Sequence, residues 1–166
     1  SDFQGSARLD ALRGLGLYYA DHQKWSLAVK PLSEYLQSRS NDDEVVAALA
    51  KAHFEQGHLE RTHQLHERLA TLRPNDGHAH YLLALTGVRL GKTTLARQAI
   101  ARALELSPDD FDTTVLAVNL FAHDNPSRAR SLLKRASQLA AGSSDDLRSQ
   151  RLDVVERLRR ALEKSQ

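Results

Sequence analysis

The chain of 166 residues contains no cysteine and no methionine, and it has one tryptophan, four tyrosines and four phenylalanines. Without cysteine there is no disulfide framework, no thiolate nucleophile and no cysteine-held zinc or iron–sulfur centre, which removes several enzyme classes together. The lack of methionine, even at the first position, favours a piece of a longer protein over a processed mature chain. Long apolar runs are missing too. Nothing approaches the ~18 residues of a membrane helix, and no basic segment followed by an apolar one marks a signal peptide. The chain itself is therefore expected to be soluble and not to insert in a membrane, in either the periplasm or the cytoplasm; any membrane association would come through segments outside it.

An excess of charge of one sign is also absent. The net charge of +2 arises from 23 basic and 21 acidic side chains, so the pI near 9.0 describes a nearly balanced surface and not a basic patch. A nucleic-acid partner is not expected. Hydrophobic residues at 41%, charged residues at 27% and few glycines and prolines fit a helical soluble protein. Arginine outnumbers lysine about three to one in an Ala- and Leu-rich background, a composition that hints at a bacterium with GC-rich codons.

What is present is a period. Thr71-Leu-Arg-Pro-Asn-Asp-Gly and Glu105-Leu-Ser-Pro-Asp-Asp-Phe lie ~34 residues apart, and Gln37-Ser-Arg-Ser-Asn-Asp-Asp lies one step earlier. On this register units begin at Leu9, Asp43, Gly77 and Phe111. A large column holds Leu15, Leu49, Leu83 and Ala117. Beside it a small column, needed for close helix approach, holds Gly16, Ala50, Ala84 and a deviant Val118. Gly57 and Gly91 stand where a helix end wants positive φ. The second helices carry small Ala28, Thr62 and Ala96, bulky Leu32, His66 and Ile100, and then Tyr35, Leu69 and Ala103. Pro74 and Pro108 close units, with Asn or Asp following as caps.

These residues, over about 9–141, resemble the tetratricopeptide-repeat family, the unit at 77–110 most of all. The resemblance implies an all-α fold, a right-handed α-α superhelix of about four helix pairs at 9–42, 43–76, 77–110 and 111–141, forming one domain over 1–166. The first unit departs by Gln23 at its turn, Ser40 for the closing proline and a Pro31 expected to kink its second helix. The fourth needs one residue deleted near His123–Pro126 to bring Ala129, Leu133 and Ala136 into register; Asn125 caps the helix there and Pro126 opens it. A shortened turn is expected to tilt that pair. After Gly142, a helix over about 145–164 carries Leu147, Val154, Val155, Leu158 and Leu162 on one stripe, as a capping helix should. Leu9, Leu12, Leu15, Leu17, Tyr18 and Tyr19 leave the first helix apolar nearly all round, so something is expected to pack there in the full-length protein.

Several clusters imitate chemistry. Arg89-Leu-Gly91-Lys92-Thr93-Thr94 looks like the tail of a phosphate loop, but Thr86 stands where its first glycine belongs and Gly91 is the inter-helix turn, so no nucleotide cofactor is expected. His53, His58, His63, His66, His78 and His80 concentrate mid-chain. His63 and His66 are three apart on one helix, yet His53 and His66 fall in packing columns, and structural or surface roles outweigh a pH-sensitive contact or a metal site. No nucleophile-elbow sequence or positioned acid pair is present, so neither catalysis nor a catalytic residue is expected. Arg157, Arg159 and Arg160 interleave with acids and read as a solvated face. Trp25, Tyr18, Tyr19 and Tyr35 read as the core of the first unit.

In the family the first helix of each unit lines a concave face. The resemblance implies a partner-binding groove of Arg13, Leu17, Lys51, Phe54, Tyr81, Leu85, Arg89, Val115 and Asn119, with an apolar centre for a helix stripe or extended segment. A carboxylate clamp that grips chaperone tails needs Lys and Asn four apart; Arg13/Leu17 and Ala47/Lys51 do not supply it. The implied function is a non-enzymatic scaffold for a protein or peptide partner, in a bacterial envelope-assembly or secretion complex. The alternatives are a docking or regulatory part of a larger enzyme, and self-association through the first helix.

Overall fold

The computed structural model describes residues 2–164, and among them every regular element is a helix. Nine follow in order: α1 (Asp2–Asp21), α2 (Trp25–Ser38), α3 (Asp43–Glu55), α4 (Leu59–Leu72), α5 (Gly77–Arg89), α6 (Thr93–Leu106), α7 (Phe111–Phe121), α8 (Pro126–Ala141) and α9 (Asp145–Lys164). They form four pairs and a terminal helix. The chain divides into two compact units, one ending at Pro74 and the other beginning at Asn75.

In the first unit α1 packs on α2, α2 on α3 and α3 on α4. The second helix of each pair puts its expected columns inside: Ala28 and Leu32 in α2 and Thr62, His66 and Leu69 in α4 are buried. Gly16 permits the α1–α2 approach, since a Cβ there would lie 2.6 Å from Leu32 Cγ. The turns follow the backbone demand of the sequence pattern. Gly57 has φ of 75°, and Gln23 takes the same left-handed region at 56° without being glycine. α2 runs unbroken through the buried Pro31.

Two expectations for this unit are corrected. Leu15 is 46% exposed, whereas Gly16 beside it is the residue that meets Leu32 of α2. The aromatics do not form one core either: Tyr35 is buried, Trp25 and Tyr19 are half-buried, and Tyr18 is 52% exposed, its ring against Tyr19 and His22.

In the second unit α5 packs on α6, α6 on α7, α7 on α8 and α8 on α9. Ala84, Ala96, Ile100, Ala103, Ala117, Val118, Ala129, Leu133 and Ala136 share one core with Val155, Leu158 and Leu162 of α9. α9 therefore caps by burying a three-residue stripe. Leu147, expected on that stripe, is 45% exposed in the first turn of α9. Gly91 has φ of 71° in the α5–α6 turn. The deletion near Asn125 shows as spacing: Thr93 follows Gly77 by 16 residues, whereas Pro126 follows Phe111 by 15. Asn125 caps α8, accepting from the Arg128 N–H at 3.0 Å, and Pro126 opens it.

Candidate partner-binding faces

Three of the four first helices, α3, α5 and α7, begin with a side-chain cap. Asp42, Asp76 and Asp110 cap α3, α5 and α7, their carboxylates accepting from Val45 N–H at 3.1 Å, His78 N–H at 2.9 Å and Thr113 N–H at 2.7 Å. The caps recur with the repeat and fix where these three helices start.

On the first unit's face, Arg13 is occupied. Its Nε donates to Asp42 at 2.8 Å and a terminal nitrogen meets Glu44, so this predicted groove cation ties α1 to the start of α3. Asp42 is a hub, since Tyr35 Oη also donates to it at 2.9 Å. Burial works to raise the Asp42 carboxyl, but Arg13, the Val45 N–H and the Tyr35 hydroxyl outweigh it and hold the group below the usual carboxylate range. Leu17 and Phe54 are half-buried. Lys51 Nζ stands 5.3 Å from the Trp25 ring centroid, a cation–π contact that adds Trp25 to this face.

On the second unit's face, Tyr81 stacks on His78 with ring centroids 5.8 Å apart. Its hydroxyl is pushed above the usual value by burial first and then by Asp112 and Asp110. Leu85 and Val115 are half-buried and Arg89 is exposed. Asn119 Nδ2 donates to the Val115 carbonyl at 3.3 Å, within its own helix. The candidate face of the first unit combines half-buried Leu17 and Phe54 with exposed Lys51, and that of the second combines half-buried Tyr81, Leu85 and Val115 with exposed Arg89.

The other clusters resolve individually. His53 and His58 bring their Nδ1 atoms to 3.2 Å, and burial, then His58 and Arg61, lower the His53 pKa. His63 and His66 are buried in α4, with His63 Nε2 3.6 Å from Glu67. Among the described residues no three His, Asp or Glu side chains are grouped to hold a metal ion. Glu156 pairs with Arg159 at 2.9 Å and Arg160 at 3.2 Å. One column escaped the sequence pattern. Arg68, Arg102 and Arg135, on second helices, reach back to the loop that opens their own pair: Arg68 to the Ser40 carbonyl, Arg102 to Asn75 Oδ1 at 3.2 Å, and Arg135 Nε to the Pro108 carbonyl at 2.7 Å. Arg68 and Arg102 lie 34 residues apart and Arg135 follows after 33, one short because of the deletion near Asn125; the step from Arg68 to Arg102 was the available signal.

No family model matches the chain, and no curated protein sequence matches it. Solved structures do. YrrB, a TPR protein with an unusual peptide-binding site, superposes with a TM-score of 0.71 at 13% identity over 91% of this chain and 75% of its own. The chain has the tetratricopeptide-repeat fold. MamA from Desulfovibrio magneticus RS-1 shares this tetratricopeptide-repeat fold at 0.64 and 18% identity, over 96% of this chain and 97% of its own. A Thermobaculum terrenum O-GlcNAc transferase matches at 0.64 and 21%, over 86% of this chain but 27% of its own. Among the described residues no helix is long and apolar enough to cross a membrane.

Proposed function

We propose that the chain is a non-catalytic protein-binding scaffold whose first helices hold a peptide or helix of a partner. The observation that carries this reading is the pair Tyr81 and Leu85: they lie on a first helix, half-buried, while the neighbouring Ala84 is sealed in the core. An apolar centre left partly open, with Arg89 at its edge, suits the anchors of a partner segment. Val115 and Asn119 extend the face in that unit, and Leu17, Lys51 and Phe54 supply the corresponding one in the first; Arg13 contributes by positioning α3. The peptide-binding site named for YrrB is consistent with this use of the fold. A bacterial envelope-assembly or secretion complex is the proposed setting.

Affinity capture from a lysate, comparing the chain with its Tyr81→Ala/Leu85→Glu variant, tests the reading. Loss of the captured partners in the variant is expected; equal capture by both rejects the α5 face. Two other readings each have an observation behind them. Exposed Leu15 and Tyr18 favour self-association through α1, and a mass that stays at 18.5 kDa over a concentration series in light scattering would reject it. The transferase match favours a docking role beside a catalytic domain, which the domain content of the parent gene decides.

A further inference from the structure

A cleft of about 560 Å³ opens within the first unit between α2 and α4, floored by Leu49 and His53 of α3. It lies apart from the first-helix face described above. Its volume is in the range of ligand sites. The walls are apolar at Val29 and Leu65, and the two charged side chains that line it at neutral pH, Arg61 and Arg68, are both cations.

Those charges are uncompensated. Among the described residues of this unit Arg8, Arg13 and Arg73 each meet a carboxylate. Arg61 meets only the Gln64 amide oxygen at 3.4 Å, and Arg68 only the Ser40 carbonyl. The repeat equivalents of Arg68 are neutralised: Arg102 by Glu105 at 3.0 Å and Arg135 by Asp109 at 2.5 Å. The comparable clefts carry their own acid. That between α1 and α2 is lined by Glu34 as well as Arg8, and that between α6 and α8 by Glu105 as well as Arg128 and Arg135. On α4 itself, Glu67 points to His63 and neither it nor Glu60 lines the cleft. A carbonyl or amide oxygen leaves the guanidinium charge in place, and Arg retains donors for a carboxylate after giving one away.

We infer that this cleft is a second peptide site, one that takes an extended acidic segment of a partner. Arg61 and Arg68 are seven residues apart on α4, a separation of about 10 Å along the axis. A segment extended as a polyproline II helix covers about 9 Å in three residues and brings positions i and i+3 back to the same side. The matching occupant carries acidic side chains at positions i and i+3, with an apolar residue between them against Leu65, Val29 and Leu49. The inference does not rest on the first-helix reading.

The test uses the whole chain and a fluorescein-labelled, C-terminally amidated peptide, Gly-Glu-Leu-Ala-Glu-Gly, followed by anisotropy. Saturable binding is expected, weakened about tenfold when both glutamates become glutamine. Arg61→Gln and Arg68→Gln should each weaken binding by about fivefold to tenfold. Arg39→Gln, at an exposed position outside the cleft, and Tyr81→Ala should leave it unchanged. Because Arg68 also holds the Ser40 loop, thermal melting accompanies each variant, and Arg61→Gln decides if Arg68→Gln has lost stability. Absence of saturable binding, equal binding of the glutamine peptide, no effect of Arg61→Gln, or an equal effect of Arg39→Gln overturns the inference. So does displacement of the peptide by inorganic phosphate beyond that given by sodium chloride of equal ionic strength, which would mark an ion site.

Discussion

The first and third helix pairs build the same motif with different tolerance. In both, the second helix buries a small residue and a bulky one four later, Ala28 and Leu32 in α2, Ala96 and Ile100 in α6. The third pair turns on Gly91 and closes at Pro108; the first turns on Gln23, closes at Ser40 and threads Pro31 through α2. The helices still meet. Positions where two helices touch are therefore held to size, while turns and closures accept substitutions costing about 1–2 kcal/mol each.

Steric approach should give the largest effect. Gly16→Val pushes a side chain into buried Leu32 and should destabilise the first unit by about 2–3 kcal/mol in urea unfolding. Gly14→Ala, two residues away with nothing within 4 Å of its Cβ, should instead stabilise by about 0.5–1 kcal/mol. If both changes have the same sign, the α1–α2 contact is misplaced.

Caps sharpen the contrast next. Asp42 caps α3 and also receives Arg13 and Tyr35, so Asp42→Ala should cost about 2–3 kcal/mol. Asp110→Ala loses the side-chain cap of α7 and should cost about 1 kcal/mol. The lowered Asp42 pKa adds a pH signature. Its stabilisation is fully present above the ordinary carboxylate value of about 3.9 and is lost as pH falls through the lower folded value. The melting difference between wild type and Asp42→Asn should narrow below about pH 4; a difference that stays constant would show that Asp42 is not held ionised.

The turns give the smallest effects, opposite in sign. Gly91→Ala forces alanine into φ of 71° and should cost about 1 kcal/mol. Gln23→Gly relieves the same geometry and should gain about 0.5 kcal/mol, part of the relief being offset by the freedom glycine adds to the unfolded chain.

Much of the fold was legible because its constraints recur. Glycine at the turns, aspartate at the caps and small residues in the contact columns are imposed by local backbone geometry, which a period of ~34 displays several times. Leu15 and Leu147 were misplaced because periodicity assigns a face to a helix but not the extent of the neighbour covering it. The candidate faces were only partly legible. Leu17, Phe54, Tyr81 and Leu85 follow from the register, whereas the engagement of Arg13 with Asp42 and Glu44 depends on contacts across ~30 residues of chain. Trp25 looked like core by composition, whereas its ring is half-buried and lies 5.3 Å from Lys51 Nζ. The arginine column was hidden by the one-residue deletion that shifts Arg135 out of step with Arg68 and Arg102.

The most direct test of the scaffold reading is hydrogen–deuterium exchange of the chain with and without a captured partner. Slowed exchange concentrated in α3, α5 and α7, the helices that carry Phe54, Tyr81, Leu85 and Val115, is predicted. Protection confined to α6, α8 and α9, with those first helices unchanged, would contradict it.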